Sequence, residues 1–198
     1  MKTFLDINNK SFHFSNCNSC EARCCDGRRG SLFAQIILED FELVHKNFPI
    51  LFIFGELGYL KPVILLSNGR DFCPYIKENR CTIYEQRPSI CRLYPLSPNV
   101  DAKIYIDESC PAVMMEREND TTQIVKEGEV TKDFYYKSLE SYQDKYIETH
   151  FEFEKINVKE DFEIVTHINN ITFYKYIGDI RSPYIKYHQI SLNNNFIN

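Results

Sequence analysis

Eight cysteines, at positions 17, 20, 24, 25, 73, 81, 91 and 110, fall within the first 110 of 198 residues, and the rest of the chain contains none. That concentration constrains the fold more than any hydropathy pattern, because whatever satisfies the sulfurs also fixes where the loops carrying them can lie. Met1 to Phe14 meets Asp6, Asn8, Asn9 and Lys10 and has no apolar segment of the secretory kind, so the expected location is cytoplasmic. In a reducing compartment, clustered cysteines point to metal or redox chemistry rather than to structural disulfides.

The first cluster reads Cys17-Asn-Ser-Cys20-Glu-Ala-Arg-Cys24-Cys25-Asp-Gly27. Two residues between cysteines let a tight turn aim both sulfurs at one centre. The adjacent Cys24 and Cys25 should instead project in different directions, so they are expected to serve different centres, or one to bind and the other to pack. Downstream come Cys73-Pro74-Tyr75, Cys81-Thr-Ile-Tyr84-Glu85-Gln-Arg87-Pro88, Cys91-Arg92-Leu-Tyr94-Pro95 and Cys110-Pro111. Cys17, Cys20, Cys24, Cys25, Cys73, Cys81, Cys91 and Cys110 are the expected metal ligands, enough for two centres of four thiolates. A split vicinal pair makes such centres interleave, for example Cys17, Cys20 and Cys24 with one downstream cysteine and Cys25 with three others. The sequence leaves that partition open.

Four thiolates around zinc or an oxidised four-iron cluster carry a net charge of about -2, which calls for cationic donors nearby. Arg23, Arg28, Arg29, Arg87 and Arg92 all lie within a few residues of a cysteine. Arg87 and Arg92 are the expected cofactor-binding side chains, able to bond sulfur or to pair with Glu85. His13, His45, His150, His167 and His188 show none of the paired spacing of mixed Cys/His zinc sites, and His13, four residues before Cys17, is the nearest to a ligand position. A CxxCxxxC start completed by a remote Cys-Pro follows ferredoxin-type ligation, which favours a 4Fe-4S iron-sulfur cluster, with zinc as the alternative.

From Phe14 to Pro111 the chain resembles the cysteine-cluster family of zinc- or iron-chelating domains, also called YkgJ-type, whose larger relatives are the flagellin lysine N-methylases. The resemblance rests on Cys17 to Cys25, Cys73-Pro74-Tyr75, Cys81 to Pro88 and Cys91 to Leu96. It implies a cysteine-ligated metal site and, by way of the larger relatives, a protein lysine N-methylase as an alternative function. Ordinary methylase chemistry is not written here. Gly55-Glu-Leu-Gly58 is a poor nucleotide-binding loop and reads as a hairpin turn, and the cysteine order reverses that of radical enzymes using S-adenosylmethionine. A thiol nucleophile activated by Arg23, Arg28 or Arg29 lacks a sequence-adjacent histidine. The plain reading of a single cysteine is a small packed hydrophobe, which Cys81 or Cys110 taken alone could be, but the first cluster could not.

The net charge of -5 leaves no basic stripe for nucleic acid, and Phe48 to Leu66, the most apolar stretch, is broken by Pro49, Gly55, Glu56, Gly58, Lys61 and Pro62, so no membrane helix is expected. Residues 1–118 are nearly neutral and residues 119–198 carry most of the acidic surplus, which with the cysteine partition suggests a metal-binding domain over 1–118 and an acidic, aromatic-rich extension over 119–198. Strands are expected at Phe33 to Leu38, Val63 to Leu66 and Ile104 to Ile106, and a helix over Glu39 to Asn47. The extension should hold an amphipathic helix over Thr131 to Thr149, with Phe134, Tyr135, Leu139, Tyr142, Tyr146 and Ile147 near one face. A hairpin should follow around Asn169-Asn170, and Asn193 to Asn198 should fray. The expected class is α+β, a small cysteine-rich metal-binding domain with a C-terminal helix and hairpin. Its function is metal binding with a redox or metal-handling role, or a structural zinc module that meets a protein partner through the extension.

Overall fold

The computed structural model describes residues 2–17, 20–55, 58–99, 103–116, 118–132 and 136–195. Strands β1 (Phe4–Asp6), β2 (Phe12–Phe14) and β3 (Phe33–Gln35) precede a short helix α1 (Phe41–Val44). Then follow a hairpin of β4 (Ile50–Phe54) and β5 (Leu60–Leu65), a two-stranded ribbon of β6 (Ile76–Lys77) and β7 (Arg80–Cys81), and helix α2 (Ser89–Leu93). Strands β8 (Leu96–Pro98), β9 (Ile104–Asp107), β10 (Val113–Met114), β11 (Thr122–Lys126) and β12 (Glu129–Val130) lead to the long helix α3 (Tyr136–Glu154), the hairpin β13 (Phe162–Ile168) and β14 (Ile171–Tyr176), and helix α4 (Pro183–Asn195). Helices set against antiparallel sheets make the class α+β, as expected. Among the described residues no helix is long and apolar enough to cross a membrane.

The principal sheet has the order β13-β14-β4-β5-β3. Its central strand Ile-Leu-Phe-Ile-Phe is apolar at successive positions because both faces are covered. One face gathers Ile50, Phe52 and Ile64 with Phe41, Phe153, Phe162, Tyr176 and Ile185. The other gathers Leu51, Ile53, Val63 and Phe173. Each such side chain, taken fully from water, contributes about 1.5 to 3 kcal/mol before entropy is counted. Two smaller sheets, β1-β9-β8 and β10-β2-β11-β12, enclose a second core of Ile7, Phe12, Leu93, Leu96, Ile106, Ile124 and Val125. Helix α3 links the cores, placing Leu139, Tyr142 and Tyr146 in the second and Phe153 in the first. Strands and helices from beyond Glu118 thus share both cores with the cysteine-bearing part of the chain.

Several expectations meet the structure directly. β3 and α1 form inside the stretches expected for them but are shorter, Leu38 opening a 3-10 turn instead of ending the strand; the β4-β5 hairpin closes with the Gly58 amide on the Gly55 carbonyl, and the β13-β14 hairpin stands where the sequence put it, Asn169 taking a positive φ of 53° at its turn. The expected helix start at Thr131 is displaced, because the Thr131 hydroxyl donates to the Gln123 carbonyl at 2.8 Å and holds that residue to the β11-β12 hairpin. Phe134 and Tyr135 lie outside the described residues. Ile147 does not join the buried face and is 54% exposed. The fraying expected from Asn193 gives way to helix α4 as far as Asn195.

Helix α4 is fastened to the principal sheet by a buried polar staple. His188 Nδ1 lies 2.7 Å from the Ile50 carbonyl while its Nε2 accepts from the Tyr176 amide at 3.1 Å. Ser191 Oγ accepts from the Ile50 amide at 2.9 Å and donates to the His188 carbonyl. Burial pushes the His188 imidazole down to about 4 from its usual 6.5. The unfolded chain therefore takes up a proton that the folded chain refuses between those values. Stability from this group is complete above pH 6.5 and is lost as pH falls toward 4, by up to about 3 kcal/mol. Urea unfolding at pH 7 and pH 5 should show this loss, and His188→Gln should lower stability at pH 7 while flattening the slope between the two; an unchanged slope would contradict the staple.

Candidate metal centre

The first cysteine segment is shaped by two short 3-10 turns, Arg23–Cys25 and Gly27–Arg29, separated by Asp26. Ala22 enters the first at a φ of 53° and Gly30 leaves the second at 99°, so the chain reverses sharply on either side of the vicinal pair. Asp26 is buried and accepts from the Arg28 amide at 3.0 Å, from Arg28 Nε at 2.8 Å and from Arg28 Nη2 at 2.9 Å, with Arg29 Nε 3.5 Å away. The bond to Arg28, against the cost of burial, holds its carboxyl below the usual range. Arg28 and Arg29 are therefore committed to Asp26.

This segment is sewn edge to edge onto the second cluster. The Cys73 amide donates to the Cys25 carbonyl at 2.8 Å, the Gly27 amide donates to the Asp71 carbonyl at 3.0 Å, and Asp26 bridges to Phe72. Ser31 Oγ and Lys2 Nζ both donate to the Cys24 carbonyl, at 2.8 and 3.3 Å. A side chain at Gly27 would collide with the Ser67 side chain and the Asp71 carbonyl.

The remaining cysteines arrive on short scaffolds. Cys81 pairs with Ile76 in the β6-β7 ribbon, whose turn places Glu78 and Asn79 at φ 51° and 60°. Cys91 sits on α2, where Pro88 occupies the N-cap without a side-chain cap of its own. Asp40 supplies the cap from outside, accepting from the Ser89 amide at 2.8 Å and hydroxyl at 2.7 Å and, through its other oxygen, from the Ile37 amide at 3.2 Å. Cys110 follows β9, its amide donating to the Asp107 carbonyl at 3.1 Å. The buried Asp107 carboxylate accepts from Tyr94 Oη at 2.9 Å, and Tyr94 also reaches the Cys110 thiol.

All eight cysteines are free thiols. The Cys24 and Cys25 sulfurs lie 3.6 Å apart. That hydrogen bond, with help from the charges of Lys2 and Arg87 and against burial, brings Cys24 down to about 7, whereas the same bond and burial drive Cys25 far up. Burial pushes Cys73 up to about 11, Cys91 up to about 12 and Cys110 up to about 11. The mutual repulsions link the thiols in overlapping groups. Cys110 feels Cys20 and Cys17, and Cys17 feels Cys24 and Cys20. Cys25 feels Cys91 and Cys73, and Cys73 feels Cys81. Cys24 joins the groups, acting on Cys17, Cys25, Cys73 and Cys91. Among the described residues, no group of three or more Cys, His, Asp or Glu side chains is close enough as placed to hold a metal ion.

The arginines divide by role. Arg87 stacks over the Tyr84 ring, 3.5 Å from its centroid, and its charge helps to lower Cys24 and works against the rise that burial causes at Cys17 and Cys91. Arg92 bonds the carbonyls of Arg87 and Glu85, at 3.0 and 2.8 Å, and so ties down the loop that presents Arg87. Arg23 Nε and His13 Nδ1 are buried without a hydrogen-bond partner among the described residues. Lys2 is the cation that sequence reasoning missed: it sits 5.1 Å from the Tyr94 ring centroid and acts on Cys24 and Cys91. Its distance from any cysteine along the chain gave no signal.

Residues 16–111 match the CxxCxxCC family model, described as "Putative zinc- or iron-chelating domain". No solved structure matches the chain. Gly27→Ala should destabilise the protein by about 1 to 3 kcal/mol in denaturant unfolding, because the seam between the clusters has no room for a methyl group. Wild-type stability in that variant would mean the seam is loose.

Proposed function

We propose that this chain is a metal-chelating protein whose eight cysteines form two interleaved four-thiolate centres. The outer centre takes Cys17, Cys20, Cys24 and Cys110; the inner takes Cys25, Cys73, Cys81 and Cys91. The observation that supports the reading is geometric: Cys73 lies in the main core with Cys25 and Cys91 packed against it and its amide bonded to the Cys25 carbonyl, whereas Cys17 is exposed. The donor set suits a thiophilic metal: the thiols are unpaired by disulfides, Arg23 Nε is a buried donor without a partner, and Lys2 and Arg87 bring positive charge to where thiolate charge would collect. Sulfurs gathered short of closure suit a centre in which the metal itself completes the fold of the surrounding loops.

For the outer centre, an iron-sulfur cluster is the favoured occupant. Three ligands within one turn-rich segment, joined by a remote cysteine followed by proline, match the ferredoxin order, and Cys110 is the downstream thiol that feels Cys17 and Cys20. When bound, such a cluster supplies one-electron redox chemistry. The chain's own groups hold and neutralise it: Arg87 and Lys2 by charge, and Tyr94 by its hydroxyl at Cys110. The segment 119–198 serves as scaffold, its hairpin and helices completing the cores against which the thiol-bearing loops rest.

Protein purified without oxygen should carry iron and acid-labile sulfide and show a brown chromophore. Zinc without sulfide would replace the cluster by zinc and leave chelation standing, whereas metal-free protein of undiminished thermal stability would overturn the reading. Arg87→Gln should weaken metal binding by about 10- to 100-fold in competition with a chelator while leaving the circular dichroism spectrum unchanged. Unaltered affinity would remove Arg87 from the site.

A further inference from the structure

The Cys24 and Cys25 sulfurs meet at 3.6 Å, and the backbone that carries them is held on both sides. The Cys24 carbonyl accepts from Ser31 Oγ at 2.8 Å and from Lys2 Nζ at 3.3 Å. The Cys25 carbonyl accepts from the Cys73 amide at 2.8 Å, and the Cys25 amide donates to the Ala22 carbonyl at 2.9 Å. Neither thiol is sealed from solution, each being half-buried. A pair held this way can react with an electrophile in two ways, by joining sulfur to sulfur or by closing over a third atom. A disulfide needs its sulfurs at about 2.05 Å and ordinarily its Cα atoms at least about 4.4 Å apart, whereas adjacent Cα atoms stand about 3.8 Å apart. Reaching it would draw the sulfurs together from 3.6 Å against the hydrogen bonds on both carbonyls. A large bridging atom asks for much less motion, because two bonds that meet at an angle leave the sulfurs apart.

We propose that Cys24 and Cys25 form a two-thiol clamp for a trivalent arsenical, an arsenic(III) centre bearing one organic group. Such a centre makes three bonds, so the organic group fills one position and two sulfurs complete it. That number matters, because among the described residues no three Cys, His, Asp or Glu side chains stand close enough to share one ion, whereas these two sulfurs are already in contact. The arsenical arrives hydrated, with two hydroxyls on arsenic. The Cys24 sulfur attacks arsenic, an As-S bond replaces an As-OH bond, and the thiol proton leaves with the hydroxyl as water. Cys25 repeats the exchange within the same complex. Two thiols are consumed, two waters are released and no electron changes hands. Because the hydrogen bonds on both carbonyls already order the peptide between the thiols, closing the chelate costs less conformational freedom than it would on a flexible loop. The proposal stands on the sulfur contact and the held backbone, and it does not draw on the two-centre reading.

The test is a titration of the full chain, reduced and freed of metal under argon, with phenylarsine oxide, read by free-thiol count and intact mass. The first equivalent should consume two thiols per chain. Labelling with N-ethylmaleimide followed by peptide mapping should find Cys24 and Cys25 protected and Cys17 and Cys20 modified, and the competing dithiol 2,3-dimercaptopropanol should restore the protected pair. Cys24→Ser and Cys25→Ser should each lose that first equivalent. Cys17→Ser, which removes the exposed thiol of the neighbouring Cys17-Cys20 turn, should retain it. Protection of any pair other than Cys24 and Cys25, retention of the tight equivalent in either vicinal variant, or its loss in Cys17→Ser overturns the clamp. The protection map is made on the wild-type chain, so it decides the question even where a serine variant folds poorly. With no metal present, failure here leaves the chelation reading intact, and protein that never holds metal leaves the clamp intact.

Discussion

The contact between the vicinal thiols Cys24 and Cys25 organises the residues around them, and it departs from the expectation that adjacent side chains project apart. The two sulfurs remain close enough to share a hydrogen bond, at 3.6 Å, yet their wider surroundings differ. Cys25 packs against the main core, while Cys24 feels the charges of Lys2 and Arg87 and acts on Cys17, Cys73 and Cys91. The backbone between them is held by its own network: the Cys24 carbonyl is claimed by Ser31 and Lys2, the Cys25 carbonyl by the Cys73 amide, and Asp26 anchors the next turn through Arg28. With the peptide fixed on both sides, neither sulfur can exchange roles with the other without breaking several hydrogen bonds.

This explains why a site carried on short loops is joined to a fold with two substantial cores. Loops of the 16–31 and 72–91 kind contribute little apolar burial of their own, so their positions must be imposed. The principal sheet imposes one side of the site by seating Cys73 and the neighbours of Cys91, and the second core imposes the other through Leu93, Leu96 and Ile106, which flank Tyr94 and lead toward Cys110. The acidic, aromatic tail is what makes both cores large enough. Phe153, Phe162 and Tyr176 close the first, and Leu139, Tyr142 and Tyr146 close the second. Asp40 illustrates the same dependence at the scale of one residue: lying far from α2 in sequence, it caps that helix and so sets the direction of Cys91.

What was legible in the sequence is what is local. The cysteine spacing announced a metal site, and the family match over residues 16–111 agrees with metal binding. Alternating or turn-bounded runs gave β3, α1 and the β13-β14 hairpin. The omissions all depend on tertiary contact. Lys2 reaches Cys24 across a long stretch of chain, Asp40 caps a distant helix, and Arg28 and Arg29 are diverted from sulfur by a buried Asp26. Ile147 was placed on the buried face by periodicity alone and is left outside by the way α3 crosses between the cores. One missed element did carry a local signal: Ser182-Pro183 begins α4 with a serine that accepts from the Ile185 amide and a proline at the first helical position.

The division of labour between two neighbouring cysteines is the centre of this account, and metal stoichiometry in Cys24→Ser and Cys25→Ser measures it directly. Each variant should retain the metal of one centre, Cys24→Ser keeping the inner complement and Cys25→Ser losing it along with much of the thermal stability. If the two variants lose the same metal and fall by the same amount in stability, Cys24 and Cys25 belong to one centre and the interleaved arrangement is wrong.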